Sequence, residues 1–143
     1  NKPQYDALEM RRFIERHNLV KFKMNAHFPV NTVQIMRGAI VAQMDGNLPQ
    51  YLDIVFRAMW EDSQNMDDAD VIDAALSAGG LDGAHILSRI QDQDVKDKLL
   101  ANTSASVERG TFGAPTFYVG SEIFFGKDRL RDLEEEIVRA KSA

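Results

Sequence analysis

One hairpin, close to the end of a chain that otherwise reads as helix, constrains this sequence more than any other feature. Thr116 to Val119 and Glu122 to Phe125 are rich in β-branched and aromatic residues, and Gly120-Ser121 between them is a two-residue turn signal. A lone two-stranded hairpin is marginal in water and needs more strands or a helix face against it. Its outer edges would also stay open to pairing. About six helices, one hairpin and one last helix therefore read most simply as an α/β domain whose remaining strands lie outside these 143 residues.

The helices follow from apolar periodicity and stop signals. Gln4 to His17 is the first, with Leu8, Met10, Phe13 and Ile14 apolar and Asn18 as its stop; Lys21 to Met24 is short and extended. Asn31, with Gln34 three residues on, resembles a capping box for a helix carrying Val33, Met36, Ala39, Ile40 and Met44. Gly38 inside that helix costs about 1 kcal/mol against Ala, which points to close packing by a neighbour. Pro49 suits the first turn of the next helix, whose expected face is Leu52, Val55, Phe56 and Met59 with Trp60 beside it. Asp67 to Ala78 follows, closed by Gly79-Gly80; Asp82 caps a short helix; Asp94 starts a longer one that ends at Gly110. There is no internal repeat and no low-complexity linker.

A length of 143 residues fits one domain, or one small domain with an insert. The net charge of −5, with no Lys/Arg cluster, argues against a nucleic-acid groove. No segment approaches the roughly 20 apolar residues that span a bilayer, and no signal-peptide pattern opens the chain. The absence of cysteine removes a disulfide framework, a thiolate zinc site and any cysteine-based redox step within this stretch. His17, His27 and His85 share no metal-ligand spacing. These features fit a cytoplasmic protein.

Two motifs flank the hairpin. Phe112-Gly113-Ala114-Pro115-Thr116-Phe117 leads into it, and Phe125-Gly126-Lys127-Asp128-Arg129-Leu130 leads out into an amphipathic helix with Leu130, Leu133 and Ile137 on one face. On spacing alone Pro115 is an ordinary proline at a strand start. A cis Ala114–Pro115 bond would instead turn the main chain of Ala114 outward, leaving one donor and one acceptor for an extended ligand. Asp128 likewise has two readings. It is a first-turn charge worth about 0.3–1 kcal/mol, or a partner for an ammonium group beside helix N–H groups that attract a carboxylate.

These two motifs resemble the thioredoxin-like half of the kappa-class glutathione transferases and 2-hydroxychromene-2-carboxylate isomerases, relatives of the DsbA oxidoreductases. Asn25-Ala26-His27-Phe28-Pro29-Val30-Asn31-Thr32 and Met36-Arg37-Gly38-Ala39 resemble the isomerase branch more closely. The resemblance covers most of the chain. It implies glutathione as cofactor, with Ala114 and Pro115 meeting its cysteinyl unit and Lys127 and Asp128 meeting its γ-glutamyl end. Lys127 stands where the kappa class usually has Ser, so a hydroxyl contact is lost there while a backbone contact survives. Asn1-Lys2-Pro3 resembles the family's Asn-Lys-Pro turn and adds Asn1 to the cofactor contacts. His27 and Phe28 are either packed loop residues or the lining of an aromatic substrate's cavity. The family's catalytic Ser, or the Cys-x-x-Cys of its DsbA relatives, has no counterpart here, and neither Ser104 nor Ser121 replaces it.

The expectation is thus an α/β thioredoxin-like fold with a large all-helical insert, its N-terminal βαβ portion absent from this chain. Residues 1–92 form the insert and residues 93–143 the C-terminal helix, β-hairpin and helix. By resemblance the function is glutathione-dependent isomerisation of 2-hydroxychromene-2-carboxylate or a related aromatic catabolite through reversible thiol addition, by a homodimer. A kappa-type transferase and a DsbA-like thiol-disulfide oxidoreductase are the alternatives, and a helical protein-binding module without catalysis is a reading of a different class.

Overall fold

The structure is a computed structural model that describes residues 1–142; Ala143, the last residue of the expected second segment, lies outside the described residues. The chain divides into two compact units between Leu99 and Leu100, inside a helix.

The first unit holds α1 (Lys2–Arg16), α2 (Val33–Met44), α3 (Leu48–Trp60), α4 (Ala69–Ala78), α5 (Gly83–Arg89) and the first part of α6 (Gln93–Glu108). Its core is made by α2 to α6, where Val41, Tyr51, Met66, Ile72, Leu76 and Val95 are almost wholly buried. Each fully buried side chain of this size contributes roughly 1.5–3 kcal/mol, so this cluster carries the unit. No residue of α1 is fully buried, and Met10 on its expected apolar face is exposed.

Side-chain caps set two of the helix starts. The Asp68 carboxylate accepts from the Asp70 amide at 2.9 Å, and that of Asp82 from the His85 amide at 2.8 Å. Each satisfies an amide that has no partner within its helix. The expected capping box at Asn31 does not close. Asn31 Oδ1 accepts from the Val33 amide at 3.1 Å, but the Gln34 side chain donates to the Asp67 carbonyl instead. A long-range tie outcompetes the local one.

The face of α3 also differs from the sequence expectation. The buried positions are Tyr51, Ile54, Val55, Ala58 and Met59, while Leu52 and Phe56 face outward at 39% and 61% exposure. The apolar stripe at i, i+3, i+4, i+7 and i+8 is complete only when Tyr51 is counted as a core residue. Its hydroxyl makes that possible by donating to the Ile35 carbonyl at 2.8 Å. Gly38 faces this ring so closely that a Cβ there would collide with the Tyr51 hydroxyl, the close packing expected of a mid-helix glycine.

The second unit holds the rest of α6, β1 (Thr116–Val119), β2 (Glu122–Phe125), a 3₁₀ turn (Lys127–Arg129) and α7 (Leu130–Lys141). The strands pair antiparallel with Thr116 opposite Phe125 and Val119 opposite Glu122. Gly120 takes φ +57°, the left-handed first position for which a two-residue hairpin turn selects glycine. The helix after the hairpin opens as 3₁₀ rather than α, following Gly126 at φ +93°. No described residue of this unit is fully buried.

Candidate functional site

Residues 110 to 130 form one continuous structure. Gly110 ends α6 at φ +99°, and the Ala114–Pro115 bond is cis, as expected. Pro115 leads directly into β1, and its carbonyl accepts from the Gly126 amide at 2.9 Å, one step beyond the Thr116–Phe125 pair. That bond extends the ladder by one rung. It brings the Ala114–Pro115 corner beside the residue that precedes Lys127 and Asp128. Four of the residues singled out in the sequence are thereby gathered at one end of the hairpin.

The loop is pinned at several points. Thr116 Oγ1 donates to the Gly113 carbonyl at 2.6 Å. A Cβ on Gly113 would meet the Phe125 ring at 2.7 Å, closer than real contacts allow, so any larger residue fits only if that ring shifts. Phe112 packs on the same ring, centroids 4.7 Å apart. Among the described residues, the amide and carbonyl of Ala114 make no hydrogen bond, and Ala114 is exposed. An extended ligand could pair with both groups as an added strand does.

At the other side of this end, Asp128 is exposed and takes the Lys127 ammonium on Oδ1. Neither side chain caps the helix: the turn begins with no side-chain cap. The carboxylate thus holds the ammonium group of the adjacent lysine.

His27 and Phe28 lie in the first unit. The sequence reading passed over the residue that places them. Asn25 is buried, and its Nδ2 donates to the carbonyls of Met59 at 2.9 Å and Gln64 at 2.8 Å. Its Oδ1 accepts from the His27 amide at 2.7 Å, an Asx turn of the kind an Asn two residues upstream signals. Phe28 stands 53% exposed with its ring 6.2 Å from that of Trp60, and the Phe28–Pro29 bond is cis, which was not anticipated. Phe22 stacks on Trp60 at 5.9 Å. The extended Lys21–Met24 segment is not a strand; the Lys23 amide donates to the Trp60 carbonyl at 2.7 Å. Asn1 is the N-cap residue of α1, without a side-chain cap bond. A groove of about 510 Å³ runs between residues 18–22 and α3, lined by Phe22, Phe56, Arg57 and Trp60 among others. Among the described residues no three His, Cys, Asp or Glu side chains cluster as a metal site, and no helix is long and apolar enough to cross a membrane.

The cis-proline corner, hairpin and closing helix, with the helical unit, are consistent with the class of thioredoxin-like proteins that carry additional helices, which comparison with known proteins establishes. Within that class the chain belongs to the DSBA-like thioredoxin domain family, whose model matches residues 2–138. It is 32% identical over 88 residues to a 2-hydroxychromene-2-carboxylate isomerase of Pseudomonas sp. (strain C18), covering 61% of this chain and 41% of that protein. It is 30% identical over 118 residues to glutathione S-transferase kappa 1 of Rattus norvegicus, covering 75% of this chain and 51% of that protein. The chain spans about half the length of these curated relatives. A solved structure of 2-hydroxychromene-2-carboxylate isomerase superposes with a TM-score of 0.84 at 22% identity, over 96% of this chain and 66% of the other, which establishes the fold.

Proposed function

We propose that this protein is a glutathione-dependent enzyme that isomerises 2-hydroxychromene-2-carboxylate or a related aromatic catabolite. The observation that carries the reading is Ala114: an exposed residue with an unpartnered donor and acceptor, on a loop pinned on both sides. The cysteinyl unit of a tripeptide presents the matching acceptor and donor in extended form. Asp128, whose carboxylate accepts an ammonium group from Lys127, would accept the γ-glutamyl ammonium in the same way. The residues present therefore fit the cofactor. Bound glutathione would supply a nucleophilic thiol for reversible addition to the substrate.

This chain's contribution is to hold and orient. Ala114 fixes the middle of the tripeptide and Asp128 its γ-glutamyl end, which sets the direction of the thiol. Similarity to the Pseudomonas isomerase and to the rat glutathione S-transferase supports an isomerase or a glutathione transferase, and the rat protein matches over the longer stretch. Conjugation of glutathione to an electrophile is accordingly the second reading.

Calorimetry tests the cofactor: saturable binding of glutathione is expected, with weaker binding of an analogue lacking the γ-glutamyl amine. No heat of binding from glutathione would overturn the assignment. Assay of both reactions then separates the two readings, since conjugation consumes glutathione and isomerisation returns it.

A further inference from the structure

The loop that presents Ala114 is held by a chain of hydroxyl groups that the docking itself does not use. Ser106, on the last turns of α6, donates its Oγ hydrogen to Thr111 Oγ1 at 2.8 Å, and Thr111 Oγ1 shares a hydrogen with Tyr118 Oη at 2.6 Å. The Thr111 amide donates to the Ser106 carbonyl at 3.1 Å. One side-chain oxygen thus ties the end of a helix to the middle of a strand across the loop between them. The Arg109 guanidinium lies 3.8 Å from the centroid of the Tyr118 ring and covers its face.

The far side of the loop is fixed separately, by Thr116 on the Gly113 carbonyl and by Gly126 on the Pro115 carbonyl. Between these two sets of ties stand Phe112, Gly113 and Ala114, whose amides take no hydrogen bond among the described residues. The direction in which Ala114 presents its donor and acceptor is then set by where the ties sit. Removing the Thr111 hydroxyl would leave the hydroxyls of Ser106 and Tyr118, both in part-buried contacts, without that partner, and would leave Thr111 tied only through its amide on the Ser106 carbonyl, with no link to the strand. Hydroxyl groups so placed lose their stability contribution when one member is missing.

We propose that Thr111 is the positioning residue of the Ala114 loop, its hydroxyl setting the main-chain geometry that a bound tripeptide meets. This rests on the reading of Ala114 as the glutathione contact. Thr111→Val keeps the shape and removes only the hydrogen bonding; Thr111→Ser keeps the hydroxyl and removes a methyl group.

The test uses the full chain at a temperature where each variant is folded, with glutathione as the titrant. Thr111→Val is expected to raise the glutathione Kd by about tenfold, Thr111→Ser to restore it to near the wild-type value, and Tyr118→Phe, which removes one of the two ties, to fall between. A Thr111→Val protein with wild-type affinity overturns the proposal, as does a Thr111→Ser protein as weak as Thr111→Val, which would assign the effect to packing. Should Thr111→Val not fold, Tyr118→Phe with unaltered affinity overturns it. If the wild-type protein binds no glutathione, the docking reading falls. The loop inference is then decided by backbone ¹⁵N order parameters at Phe112, Gly113 and Ala114: Thr111→Val is expected to lower them and Thr111→Ser to leave them high, and unchanged values in both reject it.

Discussion

The carbonyl of Pro115 and the amide of Gly126 meet at 2.9 Å across the open end of the hairpin. Through that bond, two stretches separated by the whole hairpin become neighbours: the corner that exposes Ala114 and the turn that carries Lys127 and Asp128. Neither motif by itself makes a ligand site. The proposed glutathione site uses both, one for each part of the tripeptide.

If Asp128 receives the γ-glutamyl ammonium, Asp128→Asn removes a charged acceptor while keeping an oxygen in place. A hydrogen bond to a charged group contributes about 1.5–3 kcal/mol, so glutathione affinity is expected to fall by about tenfold or more. The carboxylate is exposed and caps nothing, so the thermal midpoint should barely move. Equal affinities in a calorimetric titration would remove Asp128 from the site.

Gly113 lies under the Phe125 ring, where a Cβ would come within 2.7 Å. Gly113→Ala must push that ring aside, and overpacking of this kind costs about 1–3 kcal/mol. Phe125→Leu, in the same protein, removes the aromatic ring that obstructs the new methyl and is expected to recover part of the loss. Urea unfolding of the two single variants and the double variant measures the coupling.

Gly38→Ala is expected to destabilise by a similar about 1–3 kcal/mol, because the added methyl meets the Tyr51 hydroxyl. Tyr51→Phe removes that oxygen along with its hydrogen bond to Ile35. The double variant should therefore be more stable than the sum of the single losses implies; strict additivity in denaturant titrations would contradict the packing described for α2 and α3.

Burial pushes the Tyr51 phenol well above its ordinary pKa. The folded state then holds this proton more tightly than the unfolded chain does. Its contribution is complete below the unfolded-state value near 10 and declines as pH rises past it, by up to about 1.4 kcal/mol per pH unit for a single site. Tyr51→Phe is expected to flatten the fall in unfolding free energy above about pH 10. Identical slopes for both proteins between roughly pH 10 and 11.5 would show that this group does not govern the alkaline limb.

Asn25→Ala would leave the carbonyls of Met59 and Gln64 and the amide of His27 without their shared partner. The expected loss is about 1–3 kcal/mol. Since Phe28 lies against the protein's single Trp, Trp60, release of the loop should also shift its fluorescence. An unchanged emission spectrum in the folded variant would mean that Asn25 does not hold Phe28 in place.

Most of the elements could be read from the residues because their signals are local. Asp82 before a helical run, Pro49 in a first turn and Gly120 in a two-residue turn each act within a few bonds of the backbone they shape. The approach of some neighbour to Gly38 was legible for the same reason: a glycine at mid-helix is costly unless a neighbour needs the space. Tyr51 as that neighbour was not legible. A tyrosine counts as amphipathic until an acceptor for its hydroxyl is known, and Ile35 belongs to another helix. The face of α3 was misplaced in consequence, with Phe56 taken inward when it points to solvent. The capping box at Asn31 failed because Gln34 found the carbonyl of Asp67, 33 residues on.

The candidate site divides along the same line. Ala114, Pro115, Lys127 and Asp128 were singled out through the resemblance of two short motifs to a known family; on spacing alone each also had an ordinary reading. The hydroxyl chain through Ser106, Thr111 and Tyr118 could not be named, since three ordinary polar residues at those spacings carry no signal until a helix end and a strand are brought to hydrogen-bonding distance. The sequence alone determined most of the helix, turn and strand segments, because their signals are local; the bare main chain at Ala114 became definite only with the cis bond and the bonding around it. Only the tertiary structure decided which distant side chains share a hydrogen bond, because partner choice depends on distances that no local propensity encodes.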